Sequence, residues 1–137
     1  MRWLLVIPFM MGLTMESLIH AYERTGDLRI PPAIETTADA MWPWLWHPAS
    51  ESFAYTSSDL NQGAPDLNLL IAPAYAWLWQ LTGAQRHLER GDAIFAGGVR
   101  NAWLGSGKAF SQNYRSSFDY IKWRSQPTSR WGVSATP

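Results

Sequence analysis

A chain of 137 residues is long enough to bury one good hydrophobic core and too short for two, so a single domain is expected. Its 11 basic and 11 acidic residues cancel and form no block of like charge, which excludes the basic face that nucleic-acid binding needs. Cysteine is absent, which removes disulfides, cysteine-ligated zinc and thiol chemistry but leaves the compartment open.

Hydrophobic residues make up 47% of the chain and charged ones only 16%, so polar surface is scarce. Some apolar surface is therefore expected to lie against a partner or to line a groove. The 9 tryptophans point the same way, because an indole joins a large apolar area to one polar N–H. They predict a thick aromatic core, a sugar-stacking groove, or both.

At the N-terminus, Met1-Arg2 and the apolar run from Trp3 to Leu13 resemble the opening of a short signal peptide. The run is too short to cross a bilayer as a helix, and we read it as part of an ordinary core helix. That first helix is expected over about 8–25. Pro8 stands in its first turn, Phe9, Leu13, Leu18, Ala21 and Tyr22 lie on or near one stripe, and Glu16, Glu23 and Arg24 face outward. A second helix, about 31–42, is opened by Pro31-Pro32, carries Ile34, Ala38 and Met41 at helical spacing, and is ended or kinked by Pro43.

A long connection from Trp44 to Ala64 follows. Loops of this length are functional or disordered, and Trp46, Phe53 and Tyr55 argue for an anchored one. A third helix is expected over about 65–82, opened by Pro65, and a fourth over about 84–103 through Leu88, Ile94, Phe95, Val99 and Trp103. Gly105-Ser106-Gly107 breaks the chain before a fifth, about 108–124, with Phe110, Tyr114, Phe118 and Ile121 on one side. Strand signals are weak throughout. Residues 1–124 thus form one helical domain, and the polar stretch from Ser125 to Pro137 reads as a coil tail.

Two stretches repeat. Thr25-Gly26 answers Thr82-Gly83 at an offset of 57 residues, and the same register carries Pro8 onto Pro65, Leu13 onto Leu70, Tyr22 onto Trp79 and Arg29 onto Arg86. Gly26 and Gly83 each follow the last apolar residues of a helix and suit the left-handed conformation that closes one. The unit is a helical hairpin, and the fold class expected is all-α: antiparallel helical hairpins, about five helices in all.

Phe9-Met10-Met11-Gly12-Leu13 through Tyr22-Glu23-Arg24-Thr25-Gly26-Asp27, and Asp66-Leu67-Asn68 through Ala74-Tyr75-Ala76-Trp77-Leu78-Trp79-Gln80-Leu81-Thr82-Gly83, resemble repeats of the (α/α)6 toroid, or six-hairpin glycosidase-like, superfamily. The resemblance covers about half the chain. It implies a partial toroid and a carbohydrate-related role, since members include glycoside hydrolases and polysaccharide lyases with sites at the toroid mouth. This chain departs from a full toroid in having two hairpins and one further helix. Open ends of a repeat stack expose apolar faces, so self-association into a homo-oligomer is expected.

Candidate saccharide-binding residues are Trp42, Trp44, Trp46, Tyr55, Trp77 and Trp79, because the C–H face of a pyranose packs on an aromatic ring. Against this stands the ordinary role of aromatics at helical spacing as core. Trp77 and Trp79, two apart, cannot share one helix face, so one is expected in the core. Tyr114 and Arg115 are further candidates, because lyases acting on uronic acids need a base and a carboxylate-neutralising cation. Glu16, Asp39, Asp66 and Asp119 are the carboxylates nearest apolar segments, yet nothing pairs two of them as glycosidic hydrolysis requires. Asp66 suits a helix N-terminus, and Asp119 suits an ion pair with Arg115. His20, His47 and His87 show no metal-ligand spacing, and no cofactor or metal is expected. The oligo- or polysaccharide partner is set against a second reading, a non-catalytic scaffold for protein association.

Overall fold

Two Thr-Gly turns organise the chain, and they are one turn built twice. The structure is a computed structural model in which residues 4–125 are described. Gly26 and Gly83 take φ of +66° and +69°, the left-handed region where a side chain would strain the backbone. Their N–H groups donate to the carbonyls of Tyr22 and Trp79, both at 2.8 Å. The Thr25 hydroxyl donates to Ala21 O and accepts from the Asp27 N–H; the Thr82 hydroxyl donates to Leu78 O and accepts from the Ala84 N–H. Ile30 N–H reaches Asp27 O and His87 N–H reaches Ala84 O. Each partner lies at the 57-residue offset seen in the sequence.

These turns separate α1 (Pro8–Thr25) from α2 (Ile30–Leu45), and α3 (Ala72–Thr82) from α4 (Gln85–Asn101); α5 (Gly107–Arg124) follows. The chain is mostly helical, with five long helices. α3 is the central one. Its residues from Ala72 to Leu78 are all buried, and it packs against each of the other four helices. Close approach is possible because a small residue faces it from α4: a Cβ on Gly91 would stand 3.3 Å from Tyr75 Cβ. The core runs through Met15, Ile19, Ile34, Met41, Tyr75, Ile94 and Trp123, so every helix contributes to one cluster.

The expectation of an all-α chain is corrected by a small antiparallel sheet of order β1-β2-β3, formed by Trp46–His47, Ser52–Thr56 and Asp59–Gly63. Trp46 pairs with Phe53 and His47 with Ser52; Ala54 pairs with Gly63 and Thr56 with Asp59. Ser52, Phe53 and Ala54 are all buried, while β3 is exposed almost throughout. Neither strand therefore alternates, which is why the period-2 signal was missing.

Two helix boundaries also differ. The stretch expected as one helix over 65–82 is a 3-10 turn, Pro65–Leu70, followed by α3. Pro73 has no N–H to give to the preceding turn, so the helix restarts with Pro73 in its first turn. Conversely α2 runs past Pro43 to Leu45, because the burial of Leu45 (1% exposed) outweighs the lost hydrogen bond. The expected coil tail lies, from residue 126 onward, outside the described residues. Among the described residues no helix is long and apolar enough to cross a membrane.

Candidate functional site

The Thr-Gly turns close the far ends of α1 and α3, and the long, irregular connections gather at the opposite end of the helices. There the Val6 N–H donates to Ser57 Oγ at 2.9 Å and the Ser57 N–H donates to Val6 O at 2.8 Å, joining the approach to α1 to the β2–β3 turn. Asn68 does most to seat this loop region. Its Nδ2 donates to Glu51 O at 2.8 Å and to Ile94 O at 2.9 Å, linking the sheet, the 3-10 turn and α4, while its buried Oδ1 finds no donor. Gly97 is what lets Glu51 come so close to α4. Glu51 sits at φ +50°, and its carboxylate is held below the usual range by Arg100, at 2.5 Å, and by Asn101.

Two adjoining hollows share Asp66 and Leu67 at this end. One, of about 570 Å³, is bounded by Tyr55, Gln62, Gly63, Ala64 and Pro65. The other, of about 180 Å³, is bounded by Trp103, Ser106, Lys108, Ala109 and Gln112. They meet at Asp66 and Leu67, and each is lined by one exposed aromatic: Tyr55, 49% exposed, in the first and Trp103, 64% exposed, in the second. Asp66 Oδ1 accepts the Trp103 N–H at 2.5 Å, which fixes the α4–α5 connection against the 3-10 turn. Asn113 Nδ2 donates to Asp66 O at 3.3 Å and so ties α5 to the same point. Ser106 caps α5 by accepting the Ala109 N–H, which holds Lys108 at the start of that helix.

The sequence-derived candidates are dispersed. Tyr55 lines the first hollow. Trp44, exposed, lines a separate hollow of about 460 Å³ with Leu4, Leu5, Ser57 and Ser58. Trp42 and Trp46 stack on each other, centroids 4.6 Å apart, with Phe53 edge-on to both and the Arg90 guanidinium over Trp42 at 5.5 Å. One face of each indole is thus already taken by its neighbour. Trp77 is 4% exposed and edge-on to Tyr22, so it belongs to the core and offers no face to a sugar. Trp79 is half-buried near the Thr-Gly turn that closes α3, at the end of that helix opposite the hollows. Tyr114 stands on an exposed face of α5, while Arg115 turns to Glu16 at 2.5 Å instead of pairing with Asp119.

Asp39 belongs to an ion-pair network between the two hairpins. Arg86 reaches both its oxygens (3.1 and 2.9 Å) and also Glu35 at 2.7 Å; Arg90 adds a contact at 2.6 Å. The Arg86 bond, then Arg90, holds the Asp39 carboxyl below its ordinary value. His87 Nε2 lies 2.8 Å from Glu35, so Glu35, Asp39 and His87 have ligand atoms within 4.8 Å of one another. Two guanidinium groups already occupy those carboxylates, and the cluster reads as a clamp between α2 and α4. His20 sits between Glu16 and Glu23, and His47 Nδ1 meets Ser50 Oγ at 2.7 Å; neither approaches His87's cluster.

Sequence reasoning missed Gln62, Trp103, Lys108 and Gln112 as residues lining the two hollows. The available signal was Trp103 directly before the Gly105-Ser106-Gly107 break, a large aromatic at the point where a helix must end. No protein-family model, curated protein or solved structure matches this chain.

Proposed function

We propose that the chain is a carbohydrate-related helical module that binds a stretch of oligo- or polysaccharide in the groove over Asp66. The observation that carries this reading is the arrangement of Tyr55 and Trp103, two exposed rings flanking one carboxylate. Rings supply stacking for the apolar face of a pyranose, while Asp66, Gln62, Gln112 and Lys108 supply acceptors and donors for its hydroxyls. The resemblance of the Thr-Gly hairpins to (α/α)6 toroid repeats points to the same class of ligand. Asp66 is the one carboxylate among the lining residues of the groove. Glycoside hydrolysis takes two across the scissile bond, so the module binds without cleaving on its own.

Tryptophan fluorescence and calorimetry against neutral and uronic-acid oligosaccharides test this. A saturable response with one sugar class is expected, weakened about tenfold or more by Trp103→Ala, a loss of roughly 1.4 kcal/mol. Trp79→Phe, away from the groove, should leave the affinity unchanged. Absence of binding to every sugar by the folded protein would overturn the reading.

A further inference from the structure

We propose that the exposed ring stripe of α5 is an interface between two copies of this chain. Phe110, Tyr114, Phe118 and Ile121 recur at helical spacing on one side of α5, each 55–61% exposed. The opposite side of the same helix is already buried through Asn113, Ser116, Tyr120 and Trp123. A helix buried on one side and lined with apolar rings on the other belongs between two layers, and among the described residues nothing covers the outer one. Phe110 and Tyr114 stack at 5.9 Å and Tyr114 meets Phe118 edge-on at 5.0 Å, so the stripe is an ordered ladder of rings. Beside it, between α5 and α4, runs an apolar groove of about 300 Å³ whose far wall includes Leu69, Phe95 and Val99.

Three features favour a second copy as the occupant. The stripe is nearly symmetric about its middle, so antiparallel pairing across a two-fold axis sets Tyr114 against the partner's Phe118 and Phe110 against the partner's Ile121. The formal net charge is zero, which removes repulsion between identical molecules. Aromatic side chains each have roughly 150–250 Å² to bury, so the stripe with Val99 and Leu104 offers on the order of 600 Å² per copy. With a polar rim around it, this approaches the ~800 Å² per partner of a standard stable interface. The stripe shares no residue with the hollows at Asp66.

The test uses the full chain. Sedimentation velocity over a wide concentration range should show a dimer whose fraction rises with concentration. The double variant Tyr114→Glu/Phe118→Glu should be monomeric at every concentration, with helical circular dichroism unchanged. Because the chain has no cysteine, Ser117→Cys reads the geometry directly. Oxidation should link two copies through position 117, which lies near the proposed axis, whereas Ser58→Cys at the loop end should stay unlinked. This second measurement stands even where the double variant misfolds. A monomer throughout, a dimer untouched by the glutamates, or no linkage through position 117 would each overturn the proposal. Uptake of an alkyl probe by a monomer would do so too, assigning the groove to a small apolar ligand instead.

Discussion

At the scale of single residues, Gly97 and Asp39 make opposite demands. A Cβ on Gly97 would lie 1.9 Å from Glu51 O, a backbone atom that cannot rotate away. Gly97→Ala should therefore cost about 3 kcal/mol or more, the upper range for forced overpacking. Gly107→Ala meets nothing within 4 Å in the first turn of α5 and should be neutral or slightly stabilising. Equal melting temperatures for the two variants would refute this account of the loop's seat on α4. Asp39 acts through charge. Its carboxyl is depressed in the folded protein, chiefly by Arg86, so the unfolded chain binds the proton more readily. The stability it gives is present above the ordinary aspartate value of 3.8 and is lost as pH falls through the lower folded value. Asp92, held down by Arg124, adds an acid loss of the same sign. Thermal unfolding followed from about pH 5 to pH 1 should fall less steeply for Asp39→Asn than for the parent chain; parallel curves would mean the clamp does not form.

At the scale of elements, helices were legible because their signals are local. Proline in the first turn, glycine after the last apolar residue and an apolar stripe between them act within a few residues of one another. The α1 bounds follow from Pro8 and Gly26 alone. Pro73 and Pro43 misled because the outcome at each depends on the rest of the molecule: α3 restarts at one, and α2 passes through the other to bury Leu45. The sheet was illegible for a similar reason, since its buried strand is covered by helices on contacts that no local pattern encodes. The duplicated turn gives a direct check on the repeat. Gly26→Ala and Gly83→Ala each force a side chain into left-handed backbone, and each should cost about 1 kcal/mol. The sites share no partner, so the double variant should lose the sum, which denaturant titration of all four proteins would show. A strongly unequal pair would mean that the turns, alike in hydrogen bonds, differ in what they support.

At the scale of the whole molecule, the sequence offered Trp42, Trp44, Trp46, Tyr55, Trp77, Trp79, Tyr114 and Arg115 as candidates but not which of them the fold would bring together. Tyr55, Asp66, Trp103 and Lys108 are spread over more than fifty residues, and only the folding of the loop region onto α4 and α5 brings them to two hollows that meet at Asp66. Trp77 shows the converse: the two-residue spacing to Trp79 required one of the pair in the core, and only the central place of α3 decides that it is Trp77, 4% exposed. If the groove depends on that long-range seating, binding and stability should separate by where the molecule is cut. Asn68→Ala removes both bonds from Nδ2 and leaves the Glu51 carbonyl unpaired, at a cost of roughly 1–3 kcal/mol, while the Ile94 carbonyl keeps its place in the α4 ladder. It should also weaken sugar binding, because the 3-10 turn that carries Asp66 loses its hold on the sheet that carries Tyr55. Gly83→Ala lowers stability at the far end and should leave affinity intact. Affinity and melting temperature measured on the same two variants decide the matter. Asn68→Ala that binds as tightly as the parent chain would mean that Tyr55 and Asp66 are positioned independently, and that the two hollows are not one site.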